Sequence, residues 1–567
     1  MWTFGASLLA GVLHGFSMAW PAFALGDALG ITGQSFGFLQ WLSLVVLSAV
    51  LLHIASQETS TSLSPQTKAK RPWLQGMLVA GVFATAAMAS TWGWLYVSMH
   101  RYGGLPSWLA CLAVLALAMA LAVYFALAGG AWVALYRTWF MAARKHEGRY
   151  ATHAKSYLMW SEFNMAMAGA ALFAALWTLA ELARGQWLTG FPWGAGGYAH
   201  ADSYLAAYAP WLGVYGIGAL AALLAMGAPM AWAVLAAHRT RAWLGLFAVG
   251  LLLLALPFSL QQSPTNFTQA AGNFKVRLLQ GNIPQDEKFI PGQGVQTALS
   301  WYAEQLLANT EPLVVTPETA IPLLPQHLPP AYWQALRNKY KSAADGQSTQ
   351  LALVGLPMGG AQVGYSNSVL ALGPEALQYR YDKQHLVPFG EFVPPLFQWF
   401  VRLMNIPLGD FGQQQSTAQV LPWQGQRLLP QICYEDLFGE ELARFFQSDN
   451  TSPTVLVNMS NLAWFGDTTA PAQHAAISKM RALEFQRPVI RATNTGLTAL
   501  IDAKGQVKSS MPLFTRGALV VEVEGRSGLT PYARWTSQWG LWPLWLLCAA
   551  IVLVLGAFFR RSGAQGL

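Results

Sequence analysis

Three residues of this 567-residue chain carry side chains suited to acyl transfer, and each ends a short β-rich run. They are Glu318 in Val-Val-Thr-Pro-Glu-Thr, Lys383 in Tyr-Asp-Lys-Gln-His and Cys433 in Pro-Gln-Ile-Cys-Tyr-Glu-Asp. A thiol attacks a carbonyl as thiolate, so the sulfur must be ionised by a base or a nearby cation. A carboxylate can take its proton, and an ammonium can lower its pKa and hold the developing oxyanion. Singly, each has an ordinary structural reading: Glu318 as a helix cap, Lys383 in a surface ion pair, Cys433 as a small buried residue. The other two cysteines, Cys111 and Cys548, sit in long apolar runs, and no pair has metal-site spacing or makes a disulfide framework. The sequence suggests no metal and no diffusible cofactor.

In α/β folds, reactive groups gather at strand ends. The pattern predicts strands over 275–280, 313–316, 351–356, 368–372, 428–433, 454–459, 489–493 and 519–523, with helices over 295–309, 331–341 and 471–485. This alternation argues for an α/β fold whose helices cover buried sheet faces. Arg481 and Glu484, spaced i,i+3, are expected to support the last helix on its exposed side.

The rest of the chain is a different material. Overall 54% of residues are hydrophobic and 11% charged, against about 25% charged in a soluble domain. That excludes an ordinary water-soluble body and a disordered chain alike. Residues 261–536 hold 20 basic and 20 acidic residues, so the net charge of +8 lies entirely in the apolar remainder, which holds 14 basic and 6 acidic ones. A basic balance spread that way implies loops at a membrane face and no nucleic-acid partner. Runs long enough to cross a bilayer cover 6–25, 36–54, 73–97, 108–135, 157–180, 205–237, 242–260 and 539–559, which makes eight expected spans. The first ends near Ala22-Phe23-Ala24, a possible cleavage site, but no basic residue precedes it, so it is read as a retained helix. With the N-terminus cytoplasmic, 12 of the 14 basic residues fall in inside loops, leaving Arg101 and Arg184 outside. Both termini are then cytoplasmic and the polar domain lies across the membrane, in the periplasm of a bacterial-style inner membrane. The expected layout is 1–260 with seven transmembrane helices, 261–535 catalytic, and 536–567 with the last helix and a cytoplasmic tail. The segment 56–72 reads as a cytoplasmic loop.

Glu318, Lys383 and Cys433, in that order on those strand ends, resemble the triad of the nitrilase superfamily. Longer motifs are more specific: Thr189-Gly-Phe-Pro-Trp193, Gln280-Gly-Asn-Ile-Pro284, the stretch from His385 to Pro394, Ile432-Cys-Tyr-Glu435, Ala463-Trp-Phe-Gly466, Met480-Arg-Ala-Leu-Glu484 and Gly528-Leu-Thr-Pro-Tyr-Ala-Arg534. With seven spans before the polar domain and one after, the chain is similar to the apolipoprotein N-acyltransferase family over nearly its whole length. The resemblance implies a membrane helical domain joined to a nitrilase-like (carbon-nitrogen hydrolase) α-β-β-α sandwich. It also implies a reaction: the sn-1 acyl chain of a phospholipid donor passes through a Cys thioester to the α-amino group of a diacylglyceryl-modified apolipoprotein acceptor. By the same carry-over Cys433 is the nucleophile, Glu318 the general base, and Lys383 the oxyanion stabiliser, together with a backbone N–H following Cys433. Glu391 matches a second essential carboxylate that orients Lys383 or the leaving group, and Tyr434 and Glu435 match required neighbours of the nucleophile. Phe289 stands where the family often has Trp, Leu462 where it has Asp, and Ala472 where it has Trp; these departures touch loop contacts and not the triad.

Lesser candidates have two readings each. His474 packs or caps, or acts as an acid. Trp464 and Phe465 form a lipid-facing lid or simply pack. Trp94, Tyr96 and Trp193 fit an interfacial aromatic belt or the wall of an acyl cavity. His14 and His53 are expected inside or at the ends of the first two spans. Two rival functions share the sequence: a membrane-anchored amidase that passes the acyl group to water, and a catalytically silent lipid-binding protein. A complete triad argues against silence.

Overall fold

The computed structural model describes residues 2–57, 71–147, 155–237, 240–262, 267–341, 350–360, 362, 364–374, 377–392 and 419–564. Most of the expected loop 56–72 lies outside them, with Lys68 and Lys70, as do Arg149, Arg239, Val393 and Pro394. The chain divides into two compact units. One comprises Met1–Gly93, Cys111–Thr265 and Leu541–Leu567, the other Trp94–Ala110 and Asn266–Gly540.

The first unit is helical. Among the described residues five helices are long and apolar enough to cross a membrane: Gly37–Ser56, Pro72–Thr91, Ser107–Thr138, Glu162–Thr189 and Tyr204–Ala236. A bent pair, Pro531–Trp539 with Trp542–Ala557, makes a sixth if it is one span, while Trp2–Phe16 and Ala242–Leu256 are apolar but shorter. The expected count of eight is therefore not reached by length alone. The run 6–25 is helical only as far as Phe16, in a helix of 15 residues from Trp2, about 22 Å of rise against about 30 Å of hydrocarbon. The run 73–97 stops at Thr91, before Gly93, and a short helix and a π-turn over Ser98–Tyr102 follow. Arg184, expected in an outside loop, is buried: it faces Glu181 at 3.4 Å and donates to the carbonyl oxygens of Phe191 and Trp193. Trp193 is buried with it. His14 is interior, 2.8 Å from the Ser43 hydroxyl, and His53 lies exposed at a helix end against Trp2.

The second unit contains two mixed six-stranded sheets. In the first the order is β12 (Gly517–Gly528), β1 (Thr268–Gln280), β2 (Leu313–Val315), β3 (Leu351–Gly360), β4 (Gly364–Leu372), β5 (Arg380–Asp382). In the second it is β11 (Val507–Ser510), β10 (Ala499–Ile501), β9 (Val489–Thr493), β8 (Val455–Ser460), β7 (Gln426–Ile432), β6 (Leu421–Trp423). Strands β1–β3 run parallel, as do β7–β9, and the outer pairings are antiparallel. Side-chain alternation builds the layers. Val276, Leu278, Val315 and Leu353 join Ile432, Val457, Met459 and Ile490 in a core between the sheets. The other face of the first sheet, with Leu279, Val314 and Val354, packs on helices Gly294–Leu307 and Pro330–Tyr340 through Tyr302 and Leu336. The other face of the second, with Leu429 and Leu456, packs on Phe446, Phe485 and Tyr532. All eight expected strands and three expected helices are present, and the result is an α-β-β-α sandwich. One expectation fails. Arg481 and Glu484 pair at 3.0 Å but both are buried, because the helix Ala470–Phe485 is covered by Gly439 and Tyr532 as well as by the sheet.

Candidate active site

Glu318 follows β2 in a turn with Thr319 at φ +49°. The turn packs so closely on β3 that a β-carbon at Gly355 would collide with the Pro317 carbonyl oxygen. The Glu318 carboxylate is almost fully enclosed by donors. Oε1 accepts from Asn367 Nδ2 at 2.6 Å and Lys383 Nζ at 3.3 Å, and Oε2 accepts from the Asn461 backbone N–H at 2.9 Å.

Lys383 follows β5, buried, and its ammonium also meets Glu391 Oε1 at 2.8 Å. Burial pulls that ammonium down, but Glu318 and Glu391 outweigh it and hold Lys383 above the usual lysine range. Glu391 is fixed in turn by the Val387 N–H at 2.9 Å and by Asn367 at 3.2 Å. Glu391 thus contacts the Lys383 ammonium while its own carboxylate is held by two further donors.

Cys433 follows β7, partly exposed, at φ +53°, a left-handed conformation that costs a residue with a β-carbon about 1–3 kcal/mol. Glu435 secures this elbow. Its carboxylate accepts from the Ile432 N–H at 2.6 Å, the Tyr381 hydroxyl at 2.9 Å and the backbone N–H groups of Gln384 and His385. The end of β7 and the Lys383 loop are therefore tied through one side chain. Burial pushes Glu435 up to about 7, against the pull of those donors. Tyr434 is buried edge-on against Phe438, ring centres 5.2 Å apart.

The sulfur departs from expectation. Burial, then the negative charge of Glu318, push the Cys433 thiol well above its ordinary value, and Lys383 and the Asn461 N–H only partly oppose them. These influences together favour the protonated thiol over the thiolate. The Asn461 N–H that binds Glu318 also favours the Cys433 thiolate, so the carboxylate and the sulfur share one donor.

Two expected residues lie outside this cluster. Phe289 is 53% exposed, its ring centre 5.8 Å from the Lys288 ammonium. Trp464 is partly exposed, its carbonyl oxygen accepting from Ser98 Oγ at 2.7 Å and its ring edge-on to Tyr102. Trp94 is buried, donating to Gln473 at 3.0 Å, with its ring 4.3 Å from Phe465. His474 caps, with Nε2 3.2 Å from the Cys433 carbonyl oxygen.

Sequence reasoning missed Asn367, Asn461 and Lys288. Lys288 is 2% exposed, donates to the Glu318 carbonyl oxygen at 3.2 Å, and is pushed down to about 8 by burial against the opposing charge of Glu318.

Two facing mixed sheets with a carboxylate, an ammonium and a thiol converging at strand ends define a nitrilase-type domain, here in a chain with several membrane-length apolar helices. Comparison agrees with that class: the Carbon-nitrogen hydrolase family matches residues 275–532, and the Apolipoprotein N-acyltransferase N-terminal domain matches residues 25–227. An apolipoprotein N-acyltransferase of Verminephrobacter eiseniae is 46% identical over 95% of this chain and 94% of its own. One from Ralstonia nicotianae is 43% identical, covering 83% and 82%, and one from Bordetella bronchiseptica 36%, covering 92% and 93%. The chain belongs to the apolipoprotein N-acyltransferase family.

Proposed function

We propose that the protein transfers the sn-1 acyl chain of a phospholipid, through a thioester on Cys433, to the α-amino group of the diacylglyceryl-cysteine at a lipoprotein's N-terminus. The observation that carries this reading is the single cluster of Glu318, Lys383, Glu391 and Asn461 around the Cys433 elbow. Glu318 takes the thiol proton as sulfur attacks the ester carbonyl carbon. Lys383 holds the oxyanion. Collapse breaks the ester C–O bond, and the lysophospholipid oxygen leaves with the proton from Glu318. The acceptor amine then attacks the thioester, Glu318 receives its proton, the C–S bond breaks, and the proton returns to sulfur. Water must be excluded throughout, because it would hydrolyse the acyl-enzyme.

In this reading residues 1–260 are the membrane domain, 261–535 the periplasmic catalytic domain, and 536–567 the last span and a cytoplasmic tail. The shorter helices Trp2–Phe16 and Ala242–Leu256 cross with the other six, which gives eight spans and two cytoplasmic termini. The test is turnover of a labelled phospholipid with a diacylglyceryl-cysteine peptide. Lysophospholipid and N-acylated peptide in equal amounts support transfer; free fatty acid in place of acylated peptide supports the amidase, and no turnover supports a silent protein.

A further inference from the structure

Cys433 holds a strained φ of +53°, so its backbone needs external restraint. Its carbonyl oxygen accepts from Asn458 Nδ2 and from His474 Nε2, both at 3.2 Å. Asn458 lies on the neighbouring β8 and His474 on the helix Ala470–Phe485, and both are completely buried. The imidazole is itself held. Its Nδ1 is 2.9 Å from the NH2 group of Arg491, and a guanidinium only donates. Nδ1 therefore carries the lone pair and Nε2 the hydrogen, which faces the Cys433 carbonyl and, at 2.9 Å, Asp436 Oδ1. Asp436 and Arg491 are 3.6 Å apart, and Ser478 binds both.

A trans peptide unit is planar, with C=O and N–H pointing opposite ways, and no peptide bond among the described residues is cis. Whatever fixes the Cys433 carbonyl therefore also fixes the direction of the Tyr434 N–H. We propose that His474 and Asn458 aim the Tyr434 backbone N–H at the oxyanion of the tetrahedral intermediate, with Arg491 keeping His474 in the donating tautomer. This rests on the assignment of Cys433 as nucleophile. One ring nitrogen of His474 faces Arg491 and the other shares its hydrogen between Asp436 and the nucleophile's own carbonyl, so the ring acts through the Cys433 peptide and not on a reacting atom. It is a positioning residue, and it places a donor that needs no reorganisation when charge develops.

The test separates acylation from alkylation in the full-length protein. Labelled phospholipid reads single-turnover thioester formation, which passes through an oxyanion. Iodoacetamide reads displacement at a tetrahedral carbon, which needs the thiolate and the same access but forms no oxyanion. In His474→Ala, acylation should fall about 100-fold and alkylation by less than about threefold, and His474→Gln, which restores a donor, should recover about tenfold of the loss. Should His474→Ala fail to fold, Asn458→Ala reads the same split through the other donor. Equal falls in both rates, or acylation at the wild-type rate, would overturn the inference. A wild-type protein that is alkylated on Cys433 but never acylated there would overturn the nucleophile assignment itself.

Discussion

Replacing Lys288 by Met should make the protein more stable and less active. The ammonium is buried and pushed from 10.5 down to about 8, first by desolvation, with Glu318 opposing. A gap of about 2.5 pKa units is worth about 3 kcal/mol, which the folded state gives up at pH 7 to keep the charge inside. Met has a similar length and no charge, but it leaves the Glu318 carbonyl oxygen without the donor now at 3.2 Å, at about 1–2 kcal/mol. The net expectation is a stabilisation of about 1–2 kcal/mol at pH 7. The sign with pH follows from the lowered folded-state value. Between about 8 and 10.5 the unfolded chain binds more protons than the folded one, so wild-type stability rises with pH across that window. The variant lacks this rise, so its advantage should vanish between about pH 9 and 10 and be reversed by about pH 10.5, where only the lost donor to the Glu318 carbonyl remains. Thermal unfolding of the detergent-solubilised proteins from pH 7 to 10.5 measures both. Thioester formation should slow about tenfold, because a positive charge facing Glu318 and the thiolate is gone. A Met variant that melts below wild type at pH 7 would refute the reasoning.

Other expectations follow from the same contacts. Glu391→Gln removes the charge 2.8 Å from Lys383, and a charge-assisted bond of about 1.5–3 kcal/mol predicts acylation slower by about 10- to 150-fold in single-turnover assays. For Glu435, raised to about 7 by burial, the folded state binds the extra proton, so stability should fall as pH rises from about 4.5 to 7. Glu435→Gln should abolish that fall in a melting series and slow acylation at least about tenfold, since an amide turns a donor toward N–H groups that need an acceptor. A cysteine at the exposed Lys504 should react with a membrane-impermeant maleimide in cells whose outer membrane alone is opened. Labelling only after the inner membrane is lysed would contradict the periplasmic placement.

The strands that build the sheet centres were legible because they are runs of Val, Leu and Ile bounded by turn residues. Strands β5, β6, β10 and β11, of three or four residues, were not, because they are too short to show a periodicity. Glu318, Lys383, Glu391 and Glu435 were legible through motifs, and the structure supplies their contacts. Lys288 and Asn461 were not: a lysine and an asparagine in polar loops look like surface residues until the topology folds both onto Glu318. Arg481 and Glu484 were placed on the wrong side because i,i+3 spacing makes a pair without saying which helix face is covered. Hydropathy overstated the length of the first and third expected spans, because apolar composition continues past Phe16 and Thr91, where the helices end.

Mapping the acyl adduct tests the central claim most directly. After brief incubation with a phospholipid bearing a labelled sn-1 chain and no acceptor, the peptide containing Cys433 should carry the chain as a hydroxylamine-sensitive thioester, and Cys433→Ser should carry none. An adduct on any other residue, or one that persists in Cys433→Ser, would contradict the account.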